Sequence, residues 1–214
     1  NHRSLIAHCK RHGVLFLSTP FDEESCDFLE SLELPAFKLP SGEVTNLPFL
    51  VHVAGKGKPI ILSTGMATLQ EVDAAVDAIT RAGNKRLVLL QCVSEYPADP
   101  AEANLRAMAS MRSSFGFPVG FSDHTPGIAA AITAAALGAC VVEKHFTLDR
   151  TMAGPDHAAS LEPAELAALV SAIRNVEAAL GDGRKRPMPS EIDITAIARK
   201  SLVAAVPFMA RTLK

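Results

Sequence analysis

The feature that most constrains this chain is a repeated pairing of a short apolar run with polar residues at its carboxyl end. The runs at 14–18, 36–39, 60–63, 87–93, 119–122 and 140–145 are rich in Val, Ile, Leu and Phe and do not alternate polar with apolar. Parallel strands buried on both faces have this pattern. Their starts recur about every 22–30 residues, the length of one β-loop-α-loop unit. Six such units in series specify an α/β fold with a parallel sheet.

The stretches between the runs carry helix signals. Residues 22–32 open with acidic side chains, which suit a helix N-terminus. Residues 68–82 begin with Thr68 and Glu71 at capping-box spacing and continue with Val72, Val76 and Ile79 on one face. The stretches 100–113 and 126–136 each start with Pro, 162–180 is closed by Gly181, and 191–200 reads as one more helix. Residues 1–12 read as the second half of an amphipathic helix.

A doubly wound sheet would usually carry a glycine-rich turn after its first strand, and here that turn is Thr-Pro-Phe-Asp. A TIM-type (β/α)8 barrel places polar residues at the carboxyl ends of its strands, where its site is built. Thr19, Ser41, Ser63, Ser94, Ser122 and Glu143 all stand at such ends. The expectation is therefore an incomplete (β/α)8 barrel over residues 1–183. It holds six of the eight βα units, and the first two strands should precede residue 1. Residues 184–214 read as a linker and helix.

Composition excludes some partners. A formal net charge of −2, with 21% charged residues and no basic cluster, gives no reason to expect nucleic acid. No apolar run approaches the ~20 residues of a membrane span, and the N-terminus lacks the apolar core of a signal peptide. Four cysteines without a C-x-x-C pair read as reduced, buried or semi-buried thiols of a cytoplasmic protein.

Three sets of residues can carry chemistry. His124 and His145 end consecutive predicted strands, which lie about 5 Å apart in a sheet, so the two imidazoles could share one divalent metal. Thr19, Ser41, Ser63 and Ser122, with the amides of Gly42 and Gly65 and the charge of Lys38, could form a cup for a phosphate. Glu43, in a strand-end turn, is the candidate for proton transfer. Asp123 and Glu143 flank the histidines and read as partners that orient the imidazoles. The loop carrying Gly154 and Asp156 is long enough to cover a ligand.

Taken in order, the motifs FLSTPFD (16–22), KLPSGEVTNLP (38–48), ILSTGM (61–66), QCVSEYP (91–97), GFSDHT (120–125), EKHFT (143–147) and GPDHAASL (154–161) resemble the N-acetylneuraminate (sialic acid) synthase family. That family includes the legionaminic and pseudaminic acid synthases and spore-coat polysaccharide proteins. The resemblance implies a transferase of polysaccharide biosynthesis that condenses phosphoenolpyruvate with an N-acylmannosamine-type sugar and releases phosphate. It implies His124 and His145 as ligands of a divalent metal, Mn²⁺ with Mg²⁺ or Co²⁺ as alternatives. It places Thr19, Lys38, Ser41, Ser63 and Ser122 around phosphoenolpyruvate, Glu43 at the reacting carbon, and Ser94, Tyr96 and Asp156 in the sugar region. It also implies a homodimer in the full-length protein, and it makes residues 184–214 the approach to a missing C-terminal antifreeze-like domain, from which 206–214 depart.

Ser94 stands where sialic acid synthases of the best-known type carry Asn, so legionaminic acid is the alternative product. A truncated, non-catalytic barrel remnant is the alternative from another class.

Overall fold

The structure is a computed structural model that describes residues 2–203 and 205. The chain divides into two compact units, Asn1–Leu180 and Gly181–Lys214.

The first unit is built on one parallel sheet of five strands in sequence order: β1 (Phe37–Leu39), β2 (Ile60–Ser63), β3 (Leu87–Cys92), β4 (Val119–Asp123) and β5 (Val142–Lys144). Helices α1 (His2–Arg11), α2 (Glu23–Ser31), α3 (Leu47–Gly55), α4 (Leu69–Arg81), α5 (Ala107–Phe115), α6 (Ala129–Ala136) and α7 (Pro163–Leu180) precede, join and follow the strands. No pairing closes β5 onto β1 among the described residues, so the sheet is a half-barrel. The second unit holds a 3-10 turn at Pro189–Glu191 and α8 (Ile192–Ala198).

Local signals explain most of these elements. Asp22 caps α2 by accepting the Ser25 amide at 2.6 Å. Thr68 and Glu71 form the reciprocal capping box of α4, whose buried face is Val72, Ala75, Val76 and Ile79. Gly116 ends α5 in the left-handed conformation, which costs glycine least. The main core lies between sheet and helices: Phe37, Leu39, Ile60, Leu62, Leu89, Val119 and Phe121 meet Phe49, Leu50, Val53, Ile79 and Met108, all fully or almost fully buried. A smaller cluster joins α6 to α7 through Ala131, Leu161 and Leu169.

The structure corrects several expectations. Residues 14–18 form no strand. They make no ladder with β1, and Val14 and Leu15 are 58% and 78% exposed. An apolar run becomes a parallel strand only where a neighbour accepts its backbone hydrogen bonds, so five strands stand where six were expected. The stretch 100–113 is a 3-10 turn at Pro100–Glu102 followed by α5, because Asn104 adopts a positive φ of 43° that no α-helix continues through. Helix α6 begins at Ala129 rather than at Pro126. All four cysteines are free, but Cys140 is exposed. Residues 206–214 lie outside the described residues.

Candidate active site

A cavity of about 530 Å³ opens at the carboxyl ends of the five strands. Thr19, Lys38, Ser41, Ser63, Ser94, Tyr96, Ser122, His124 and His145 line it, so most of the residues singled out in the sequence converge. Thr19 follows no strand; the others converge because each sits near or just past the carboxyl end of a strand in one parallel sheet.

Two networks organise the cavity. In the first, the Lys38 ammonium donates to Ser63 Oγ at 2.8 Å and to the Leu39 carbonyl at 2.9 Å. It also lies 3.5 Å from Glu143 Oε2. The Ser122 hydroxyl donates to Glu143 Oε1 at 2.7 Å. Burial pushes the Lys38 ammonium below the ordinary lysine range, and the Glu143 carboxylate pulls it back. The Gly65 amide donates to Ser41 Oγ at 2.9 Å. Ser41 and Ser63 therefore receive hydrogen bonds and keep their own O–H groups free to donate to a ligand.

The second network is aromatic. The His124 and His145 ring centroids are 5.2 Å apart, and the Tyr96 ring lies 4.1 Å from His124 and 5.3 Å from His145. His124 Nδ1 sits 2.6 Å from the Val93 carbonyl. A carbonyl only accepts, so Nδ1 carries a proton, and Nε2 is the nitrogen left for a ligand. Burial lowers the His145 pKa, and the nearby His124 adds to this against Asp156 and Glu143, which favours neutral imidazole. Two imidazoles beside carboxylate and hydroxyl oxygens are a donor set that fits a divalent ion.

Some residues fall elsewhere. Glu43 does not line the cavity: it sits in the 3-10 turn Ser41–Glu43, and its Oε2 accepts from Asn46 Nδ2 at 2.7 Å. Asp156 is exposed and does not line the cavity, although its charge reaches Tyr96 and His145. The Gly65 amide, expected to meet a phosphate, is taken by Ser41. Neither Asp123 nor Glu143 is hydrogen-bonded to an imidazole: Asp123 pairs with Lys144 at 2.9 Å, Glu143 serves Ser122 and Lys38, and a backbone carbonyl holds His124. Phe21, Met66 and Cys92 line the cavity without having been anticipated. For Cys92 a signal was present, since it stands two residues before Ser94 at a strand end.

A second group with ligand-like spacing lies on α2 and α3, where donor atoms of Cys26, Asp27 and His52 come within 4.8 Å of one another. A cation is already there: the Lys56 ammonium pairs with Asp27 and, at 3.0 Å, with Glu30. Burial pushes the Cys26 thiol up to about 11, away from the thiolate that a metal would need.

A parallel α/β half-barrel with a polar cavity at its strand ends, lined by a lysine, several hydroxyls and two adjacent imidazoles, defines a protein of the (β/α)-barrel class, whose sites lie at that face. Within that class the chain belongs to the NeuB family, whose profile matches residues 1–185. It is 54% identical over 205 residues to the N,N'-diacetyllegionaminic acid synthase of Campylobacter jejuni, covering 95% of this chain and 61% of that protein. It is 41% identical over 212 residues to the N-acetylneuraminate-9-phosphate synthase of Mus musculus, covering 99% and 59%. The crystal structure of an N-acetylneuraminic acid synthetase from Leptospira borgpetersenii in complex with citrate superposes with a TM-score of 0.83 at 36% identity, over 92% of this chain and 70% of that one. The chain spans about three-fifths of the length of these two curated relatives. Among the described residues no helix is long and apolar enough to cross a membrane.

Proposed function

We propose that this chain is the greater part of the barrel of a nonulosonic acid synthase, which joins phosphoenolpyruvate to an N-acylmannosamine-type sugar. In that reaction C3 of phosphoenolpyruvate forms a bond to the aldehyde carbon of the open-chain sugar. Water adds at C2, and the C2–O bond to phosphate breaks, releasing inorganic phosphate. The observation that carries the reading is the meeting of Lys38, Ser41 and Ser63 with His124 and His145 in one cavity.

In this reading Lys38 binds the anionic substrate, and the free O–H groups of Ser41 and Ser63 donate to it. Thr19 and Ser122 complete the cup. His124 and His145 hold a divalent metal, Mn²⁺ by preference, which when bound supplies Lewis-acid polarisation of the sugar aldehyde. Tyr96, Ser94 and Asp156 face the sugar. Glu43, at the rim, exchanges a proton with the water that adds at C2. The higher identity to a legionaminic acid synthase than to the N-acetylneuraminate-9-phosphate synthase favours a legionaminic-type sugar. The reading includes a (β/α)8 barrel, which needs three strands beyond the five described, residues 184–214 leading toward a C-terminal domain, and a cytoplasmic homodimer.

The test uses the chain extended to the full length of its relatives, with phosphoenolpyruvate, Mn²⁺ and a panel of N-acyl and di-N-acyl hexoses. Phosphate release that depends on one sugar, with a product of the summed mass, is expected. Binding of phosphoenolpyruvate without its consumption for every sugar tried would overturn the reading.

A further inference from the structure

We propose that the buried Asp123–Lys144 ion pair is a positioning device for the two imidazoles: it sets the backbone at His124 and ties it to the strand that ends in His145. The inference rests on the metal reading above and concerns residues that the reaction itself leaves unused.

The register puts the pair in place. Asp123 stands opposite Lys144 across the β4–β5 ladder, one residue before each histidine. Their side chains are 0% and 3% exposed, and Lys144 Nζ lies 2.9 Å from Asp123 Oδ2. The other carboxylate oxygen, Oδ1, accepts from the Thr125 amide at 2.8 Å and from the Thr125 hydroxyl at 2.7 Å. Lys144 also donates to the Thr125 carbonyl. These contacts begin at 123 and end at 125, so they close a ring of chain with His124 at its middle. His124 and His145 are held from outside as well: Ala98 donates to the His124 carbonyl and Leu161 to that of His145, each at 2.9 Å.

A buried ion pair is a poor way to gain stability, because two charges must be stripped of water and an apolar pair of similar volume does as well. What the charged pair adds is direction. It has one geometry in which every donor and acceptor is satisfied, and that geometry fixes residues 123–125 against β5. The rings themselves have few restraints, since His124 has one strong partner in the Val93 carbonyl. The aim of both imidazoles therefore depends on the backbone from which they spring. Lys144 borders the cavity. Its ammonium is already engaged by Asp123 and Thr125, which distinguishes it from Lys38, whose neighbours include the free-donating Ser63.

The experiment measures Mn²⁺ affinity by electron paramagnetic resonance, and the visible spectrum of bound Co²⁺, on the 214-residue chain. Wild type is compared with the neutral double variant Asp123→Asn/Lys144→Met and with His124→Ala, each checked for folding by circular dichroism. The double variant should fold and lose roughly 10–100-fold in Mn²⁺ affinity, the scale seen when groups supporting metal ligands are removed, with a shifted Co²⁺ spectrum. Affinity within twofold of wild type and an unchanged spectrum would overturn the proposal. So would a loss confined to inorganic phosphate binding, which would make Lys144 a ligand contact. If the neutral pair does not fold, Asp123→Glu, which keeps both charges and lengthens the tether, is judged by the same criterion. Equal Mn²⁺ affinity in wild type and His124→Ala, or no affinity in wild type, would instead remove the metal reading on which the inference stands.

Discussion

Ser122 and Glu143 stand opposite each other across the β4–β5 ladder and are joined by a hydrogen bond of 2.7 Å. The other oxygen of Glu143 lies 3.5 Å from the Lys38 ammonium. The Lys38 ammonium of the hydroxyl cup thus already has an anionic neighbour, and an incoming phosphate or carboxylate must share it.

That arrangement predicts that Glu143→Gln tightens anion binding. Removing a negative charge about 5–6 Å from the ligand should be worth about 1.4 kcal/mol at a dielectric between those of water and the protein surface, roughly tenfold in Kd. Calorimetry with phosphoenolpyruvate at low salt measures it. Weaker binding would mean that Glu143 is needed to hold Lys38 in place.

Glu43 lies at the rim, turned toward Asn46 and away from the cavity lining. Glu43→Gln should therefore leave phosphoenolpyruvate affinity unchanged and cut turnover by roughly 10²-fold, the scale of general acid–base catalysis. Both quantities are measured in the chain extended to the length of its relatives. Weak binding with normal turnover at saturation would make Glu43 a binding residue.

Two glycines should respond in opposite ways to Ala. A Cβ on Gly120 would lie 2.3 Å from the Val141 carbonyl oxygen and 2.7 Å from Leu90 Cδ2, so β4 and β5 could not approach. Gly120→Ala should cost about 1–3 kcal/mol of stability, as overpacking does. Gly42 has no atom within 4 Å of such a Cβ, and Gly42→Ala should unfold within about 0.5 kcal/mol of wild type. Urea denaturation of the two variants separates these cases.

Cys26 should make stability fall at high pH. Burial pushes its thiol up to about 11 from an ordinary 9, with Asp27, Glu30 and Glu23 acting in the same direction against Lys56. The folded protein keeps this proton where the unfolded chain releases it. The contribution is thus fully present below pH 9 and is lost as pH rises through 11. Between pH 8.5 and 10.5 wild type should lose about 1–2 kcal/mol more than Cys26→Ala, at 1.36 kcal/mol per pKa unit. Parallel losses in the two proteins would show that Cys26 titrates as it does in the unfolded chain.

Much of the fold was legible because its signals are local. A parallel strand buried on both faces is largely apolar, as β2 and β3 are, whereas β1, β4 and β5 carry polar or charged residues near their carboxyl ends. The capping of α2 and α4 depends on residues within three positions of each other, at Asp22 and Ser25 and at Thr68 and Glu71. Residues 14–18 carried the same apolar signal and form no strand, because a strand is completed by a neighbour and not by its own composition.

The sequence by itself determined which residues end up at the rim of the sheet: Ser41, Ser63, Ser122, His124 and His145 each follow or close an apolar run, Lys38 stands one residue before the end of its run, and strand order brings the runs side by side. Only the tertiary structure decided how those residues are partnered. Asp123 could have faced an imidazole and instead meets Lys144; Gly65 could have met a ligand and instead holds Ser41; the tautomer of His124 is set by the Val93 carbonyl. The physical reason is range. Burial and periodicity are written into neighbouring residues, whereas a hydrogen bond between Ser122 and Glu143 depends on the register of two strands joined by a helix, and a shift of one residue in that register would turn each of these side chains to the other face.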